Sequence, residues 1–174
     1  VIQLGLEPIL CDSNMEDLSV DLKHLESIFV SESPAVLMFV SVLGLVPNMD
    51  KVEGLCKEYD VVLLEDTCES MGCEYKGKKL GTFGEMSSFS TYFGHHISTI
   101  EGGFVSTDDF QLYELLLSLR SHGWDRDLSK KTQRNLQKEW NVSEFAATDI
   151  TNITKRNFIT LSIDNFIHFY MILL

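Results

Sequence analysis

Asp60-Val61-Val62-Leu63-Leu64-Glu65-Asp66, followed by Thr67-Cys68-Glu69-Ser70-Met71-Gly72, is the stretch on which the fold turns. Four consecutive apolar residues that run into two acids predict a buried parallel strand whose carboxyl end opens toward ligand. Upstream, Val36-Leu37-Met38-Phe39-Val40 is apolar at every position and predicts a second strand, central and covered by helices on both faces. Gly44 and Pro47 break the chain after it, and Asn48 is expected to cap a helix running to about Tyr59. Farther upstream, Leu18, Leu22, Leu25, Ile28 and Phe29 recur at helical spacing, with Asp17 or Ser19 as the expected N-cap. Pro8 to Asp12 reads as one more short strand.

Downstream, the polar, glycine-punctuated segment from Gly72 to Gly81 predicts a small hairpin. Met86 to Phe93 and Phe104 to Thr107 are further strand candidates, with His95, His96 and Glu101-Gly102-Gly103 between them. Asp108 or Asp109 caps a helix expected from Phe110 to about His122, its apolar face formed by Leu112, Leu115, Leu116 and Leu119. A last helix is expected over Leu128–Trp140. Strands alternating with helices imply an α/β fold built on a mostly parallel sheet flanked by helices.

Composition narrows the function. At 174 residues and 44% hydrophobic the chain has material for one domain with a real core. Twenty-six acids against 14 Lys and Arg give a net charge of −12, which repels phosphate backbones, so neither nucleic acid nor membrane is expected as a partner. The longest apolar run, from Val36 to Val46, is about half of what a spanning helix needs. The chain opens on Val1 inside an apolar stretch, and both ends look cut; a piece of a longer protein, inactive alone, is expected. With no export signal in view, a cytoplasmic location with reduced thiols is expected as well.

Asp66, at the end of a buried strand, reads either as a cap for the next turn or as a group aimed at a cationic ligand. Glu69, three residues on, either shares that crevice or is solvated. His95, beside His96 and near Ser90, reads as a base in a pocket or as a surface residue. No third ligand at recognisable spacing accompanies the histidines, so no metal is expected. Ser87, Ser88, Ser90 and Thr91 offer hydroxyls suited to phosphate, or a serine-rich edge strand. Gly102-Gly103 allows a tight turn or a close backbone approach. GxGxxG, Walker, GxSxG and HExxH patterns are absent, which disfavours a dinucleotide-binding oxidoreductase.

Several motifs taken together carry a resemblance. Leu63 to Gly72, then Tyr75-Lys76-Gly77, Gly81-Thr82-Phe83-Gly84, Ser88-Phe89-Ser90, Ile97 to Gly103 and Arg120-Ser121-His122-Gly123-Trp124 resemble the DegT/DnrJ/StrS family. The likeness runs from about residue 5 to 145. It implies a pyridoxal-phosphate enzyme of nucleotide-sugar metabolism, with an aspartate-aminotransferase-like (type I) large domain. Residues 1–124 would be part of that cofactor-binding domain, and 125–174 the start of a C-terminal region that diverges after about 147.

The resemblance also assigns residues. Asp66 would pair with the cofactor's pyridinium nitrogen, Glu69 would stand near the ring oxygen where aminotransferases carry glutamine, and Ser90 would bind the phosphate. Six residues before Glu101 the family's aminotransferases place the lysine that holds the cofactor covalently; this chain has His95. Imidazole cannot form that bond but can shuttle protons near neutral pH. The substitution resembles the branch of the family that removes a C3 hydroxyl. An iron–sulfur branch shares the histidine, but the gaps of 44, 11 and 4 residues between Cys11, Cys56, Cys68 and Cys73 do not match its ligands. Implied, then, is catalytic His95 with pyridoxal or pyridoxamine phosphate. L-glutamate would be the amino donor, a GDP-linked 4-keto-6-deoxyhexose the substrate, and a homodimer the full-length assembly. A sugar 4-aminotransferase, or an inactive remnant of either enzyme, is the alternative.

Overall fold

The computed structural model describes residue 2 and residues 5–140. They fall into two compact units, one running to Asp108 and one starting at Asp109. The divergence expected after about residue 147 lies outside the described residues.

In the first unit, α1 (Leu22–Glu32) leads into β1 (Val36–Val40), a short 3-10 turn (Val42–Gly44), α2 (Met49–Glu58) and β2 (Val62–Asp66). A two-stranded hairpin, β3 (Glu74–Tyr75) and β4 (Lys78–Lys79), precedes β5 (Met86–Ser90) and β6 (Gly103–Ser106). The main sheet has the order β1-β2-β5-β6, parallel across the first three strands and antiparallel at β6. The carboxyl ends of β1, β2 and β5 therefore share one edge.

Strand alternation sorts the side chains. Leu37 and Phe39 of β1 and Leu63 of β2 point inward against Leu25 and Phe29 of α1 and Met49, Val52, Leu55 and Cys56 of α2, forming the core. Val36, Met38 and Val40 are only half-buried, because both helices lie on the opposite face. The expectation of β1 covered on both sides is thus met on one face among the described residues. Burying each large core side chain stabilises the fold by about 1.5–3 kcal/mol.

Local chemistry explains the element ends. Asn48 caps α2, accepting from the Lys51 N–H at 3.2 Å. Asp21, not Asp17 or Ser19, caps α1, with Oδ1 accepting from Lys23 N at 2.9 Å and His24 N at 3.1 Å. Asp17 instead closes its own turn onto Ser19, and Leu18, left-handed at φ 58°, is exposed outside the helix. Residues 8–12 form no strand; a lone bridge between Ser13 and Val20 replaces it. The β3–β4 hairpin is tied to α2 by Lys76 on Asp50, Lys78 on Glu53 at 3.4 Å and the Tyr75 hydroxyl on Asn48 at 3.0 Å.

The second unit holds α3 (Phe110–Arg120), capped by Asp109, and α4 (Lys130–Trp140). Its buried polar centre is Glu114, which accepts from the Ser129 N–H at 2.6 Å and from the Thr132 hydroxyl and so fixes the start of α4. Of the leucine face expected on α3, Leu112, Leu116 and Leu119 are half-buried and Leu115 is exposed, and the acid among them is the more enclosed residue. Among the described residues no helix is long and apolar enough to cross a membrane.

Candidate active site

Asp66 is the last residue of β2, in register with Val40 of β1 and Ser88 of β5. Its Oδ1 accepts the Ser88 hydroxyl and the Cys68 N–H, each at 3.1 Å. Its backbone carbonyl accepts the Ser41 N–H at 3.0 Å, which anchors the loop leaving β1. Glu69 reaches that same loop: Oε2 accepts the Leu43 N–H at 2.9 Å. Three strand ends and two loops thus converge around one half-buried carboxylate, at the edge where open α/β sheets bind ligands.

The four candidate hydroxyls separate by strand parity. Ser87 is buried, donates to the Gly81 carbonyl at 2.7 Å and lies 2.8 Å from the Ser106 hydroxyl. Ser88 serves Asp66. Thr91 Oγ1 lies 2.8 Å from Thr99 Oγ1. Ser90 Oγ accepts the Tyr92 N–H at 3.2 Å, which leaves its own proton to donate.

Beyond Ser90 the β5–β6 pairing continues into the connecting loop, with Thr91 N–H on the Gly102 carbonyl at 2.9 Å and Phe93 N–H on Ile100 at 3.0 Å. Gly102 sits at φ 146°, and a Cβ there would lie 2.7 Å from Thr91 Oγ1; at Gly103 a Cβ would lie 2.7 Å from the Phe89 carbonyl. Of the two readings of this glycine pair, close backbone approach is the one observed. His95 and His96 stand near the tip of this extension, on the carboxyl side of β5. The His95 ring meets the edge of Tyr92 with centroids 5.9 Å apart, and its Nδ1 is buried without a hydrogen-bond partner. Topology therefore brings Asp66, Glu69, Ser90 and the His95 loop to one sheet edge.

One residue at this edge has a role that the sequence reading missed. Glu65 precedes Asp66 but points to the opposite face, 1% exposed. Its carboxylate accepts three backbone N–H groups: Gly81 at 2.7 Å, Phe83 at 2.6 Å and Gly84 at 2.8 Å. The Gly-Thr-Phe-Gly segment is thus an internal anion nest that holds the entry to β5 against β2. Gly84 has no room for a side chain, since a Cβ would lie 2.3 Å from the Leu63 carbonyl oxygen. An acid next to a strand-terminal acid, with a glycine-flanked segment downstream, was the available signal.

Cys68, beside Asp66, is kept as a thiol. Burial first, and then the Asp66 charge, push its pKa up to about 12. All four cysteines are free. A separate cavity of about 230 Å³ opens at the amino end of β2, lined by Cys56, Val61, Val62, Phe83 and Glu85 among others. It lies at the sheet edge opposite Asp66.

The mostly parallel sheet flanked by helices, with Asp66, Ser88 and the His95 loop toward its carboxyl edge, is an α/β architecture of the aspartate-aminotransferase type. The chain belongs to the DegT/DnrJ/EryC1/StrS aminotransferase family, whose model matches residues 1–151. It is 40% identical to GDP-4-keto-6-deoxy-D-mannose 3-dehydratase of Escherichia coli O55:H7, over 75% of this chain and 34% of that protein. The Yersinia pseudotuberculosis enzyme of the same name is 43% identical, over 72% and 32%. Among solved structures, a GDP-4-keto-6-deoxymannose-3-dehydratase variant with bound GDP-perosamine superposes with TM-score 0.66 at 40% identity, covering 70% of this chain and 31% of that one. The E. coli enzyme with bound hydrated PLP gives 0.65 at 41% identity, covering 69% and 31%. The chain spans about a third of the length of the curated relatives it matches.

Proposed function

We propose that the protein removes the C3 hydroxyl of a nucleotide-linked 4-keto-6-deoxyhexose, GDP-4-keto-6-deoxymannose being the substrate, with pyridoxal phosphate as cofactor and L-glutamate as amino donor. The observation that carries this reading is His95, standing at the site edge where the family's aminotransferases have a lysine. The residues present fit the cofactor. A buried imidazole nitrogen with no partner marks a place made for another polar group. An oriented carboxylate on β2 suits a pyridinium, and a serine with its proton to give suits a phosphate. When bound, the cofactor supplies an electron sink and an amine that can condense with the sugar's C4 ketone.

The protein's own residues do the rest. Asp66 accepts a hydrogen bond from the ring nitrogen and so holds the proton there. Ser90 would donate to the phosphate, and Glu69, braced by the Leu43 amide, would serve the ring oxygen. His95 takes up a proton at an imidazole nitrogen and returns it. His95 cannot bond covalently to the cofactor as the family's lysine does, so it would not displace an aminated product and would act on protons alone. The overall exchange balances: glutamate gives up two electrons, two protons and its nitrogen, leaving as 2-oxoglutarate and ammonia, while the sugar's C3 hydroxyl leaves as water with a hydrogen in its place, and the hydrolysis that frees the ammonia consumes one water. We further read residues 1–124 as part of the cofactor-binding domain, and the complete protein as a cytoplasmic homodimer, on the strength of the family likeness.

The test grafts residues 5–140 into the E. coli relative in place of its matching segment, then supplies GDP-4-keto-6-deoxymannose, PLP and L-glutamate. The expected product is the 3-deoxy ketosugar with one ammonia released, abolished by His95→Asn. An aminosugar formed without ammonia would assign the chain to the aminotransferases instead. A graft that folds but leaves the PLP absorption spectrum unchanged would mark a remnant.

A further inference from the structure

We propose that Ser88 is a positioning residue, orienting the Asp66 carboxylate toward the ring nitrogen; this rests on the function proposed above. Carboxylates rotate about a broad, roughly two-fold torsion, so a carboxylate at a strand end has no fixed aim unless its oxygens are held. Here one oxygen is held twice. The Ser88 hydroxyl and the Cys68 amide both donate to Oδ1 at 3.1 Å, and neither donates to Oδ2. Donors converging on Oδ1 fix the plane of the group; the Cys68 thiol also hydrogen-bonds the carboxylate, and a pyridinium nitrogen would compete for Oδ2 only with that weak, neutral donor.

The anchor is itself anchored. Ser88 and Asp66 are register partners on neighbouring parallel strands, so both side chains rise from the same sheet face. Thr67, fully buried and next to Asp66 in sequence, donates twice to the Ser88 carbonyl, from N–H at 2.9 Å and from Oγ1 at 2.8 Å. The Cys68 thiol, kept protonated by burial and by the Asp66 charge, adds a weak hydrogen bond to that carboxylate and no competing charge. A site residue held by sheet partners is more rigid than one held from loops. This separates Ser88 from Ser90 two residues on: Ser90 lies on the same face but makes its bond to the Tyr92 amide.

The experiment uses the same graft with three variants, Ser88→Ala, Ser88→Thr and Asp66→Asn, and two readouts. The first is the PLP dissociation constant, from cofactor absorbance. The second is the ring-nitrogen shift of ¹⁵N-labelled PLP, which reports whether that nitrogen carries a proton. Ser88→Ala should weaken PLP binding about tenfold, the scale of one lost hydrogen bond to a charged acceptor. It should also move the ring nitrogen toward its unprotonated shift. Ser88→Thr, which keeps the hydroxyl, should restore both. Asp66→Asn should shift the ring nitrogen further than Ser88→Ala does. If Asp66→Asn changes the nitrogen shift and Ser88→Ala does not, the positioning role is wrong while the site assignment survives. If neither changes it, the assignment of Asp66 fails with it. Equal losses in Ser88→Ala and Ser88→Thr would make Ser88 a packing residue and overturn the proposal.

Discussion

Replacing Glu65 separates scaffold from chemistry, because it adjoins Asp66 and faces the other way. Its Oε1 serves two amides, Phe83 and Gly84, and Oε2 serves Gly81. Glu65→Gln keeps the shape but turns one oxygen into a donor. The less damaging orientation keeps oxygen toward Phe83 and Gly84 and sets the new NH2 against the Gly81 N–H. One bond is lost, the other two lose their charge, and two donors face each other. Bonds to charged acceptors contribute about 1.5–3 kcal/mol each, and neutral ones about half that. The expected loss is therefore about 3–6 kcal/mol for glutamine and about 4.5–9 kcal/mol for alanine, the latter leaving three part-buried donors without acceptors. Against a typical stability of about 5–15 kcal/mol, either is large. Urea unfolding of the full chain measures it through the midpoint at constant slope. Amide hydrogen exchange at Gly81, Phe83 and Gly84 localises it. A glutamine variant within about 0.5 kcal/mol of the parent, with those three amides still protected, would refute the buried-nest reasoning.

Three further outcomes follow from the same coordinates. Gly84→Ala should destabilise by at least the about 1–3 kcal/mol of ordinary overpacking, because the clash is with Leu63 backbone that cannot swing aside; thermal unfolding checks it. Glu114 is held below the ordinary glutamate pKa, first by the Thr132 hydroxyl and then by the Ser129 amide. A depressed folded-state pKa contributes stability above the ordinary value that is lost as pH falls through the depressed one, so the α4 start should weaken below about pH 4.3 and fray once the depressed value is passed. Glu114→Gln should show no such pH dependence in exchange at Ser129–Gln133. At Cys68, a thiol raised from 9.0 to about 12 carries roughly a thousandth of the usual thiolate, so iodoacetamide at pH 8 should label it far more slowly than free cysteine; comparable rates would contradict the burial.

Periodicity carried most of the fold. β1, β2 and the helices α2 and α3 declare themselves through apolar runs and capping residues, and Asn48 and Asp109 cap where their positions suggested; the polar α4, expected over Leu128–Trp140, runs from Lys130. Cap chemistry near residue 20 misled, because Asp17, Ser19 and Asp21 offer the same groups within five residues. Only the path of the chain decides that Asp17 folds onto Ser19 while Asp21 meets the helix amides. Pro8 to Asp12 looked like a strand by composition, yet strands form by pairing, and among the described residues no neighbour there offers a ladder. The site edge followed from the parallel order. What spacing alone left open was which serine serves which partner, since that depends on register between β2 and β5.

Parity along β2 accounts for why one dipeptide supports both the fold and the site. Leu63 and Glu65 face the helices; Leu64 and Asp66 face away, at intermediate burial. A buried carboxylate needs several donors or it destabilises its surroundings, and the Gly81–Gly84 backbone supplies them on the inner face. That same bonding fixes where β5 begins, hence which residue of β5 lies opposite Asp66. Ser88 is that residue because Glu65, in register with Ser87, is clamped to the segment leading into the strand. Slip β5 by one position and the outward hydroxyl opposite Asp66 would be replaced by an inward-facing side chain, Ser87 or Phe89. The inner acid thus sets the register that the outer acid requires. Order at the ligand edge depends on a bond made on the far side of the sheet.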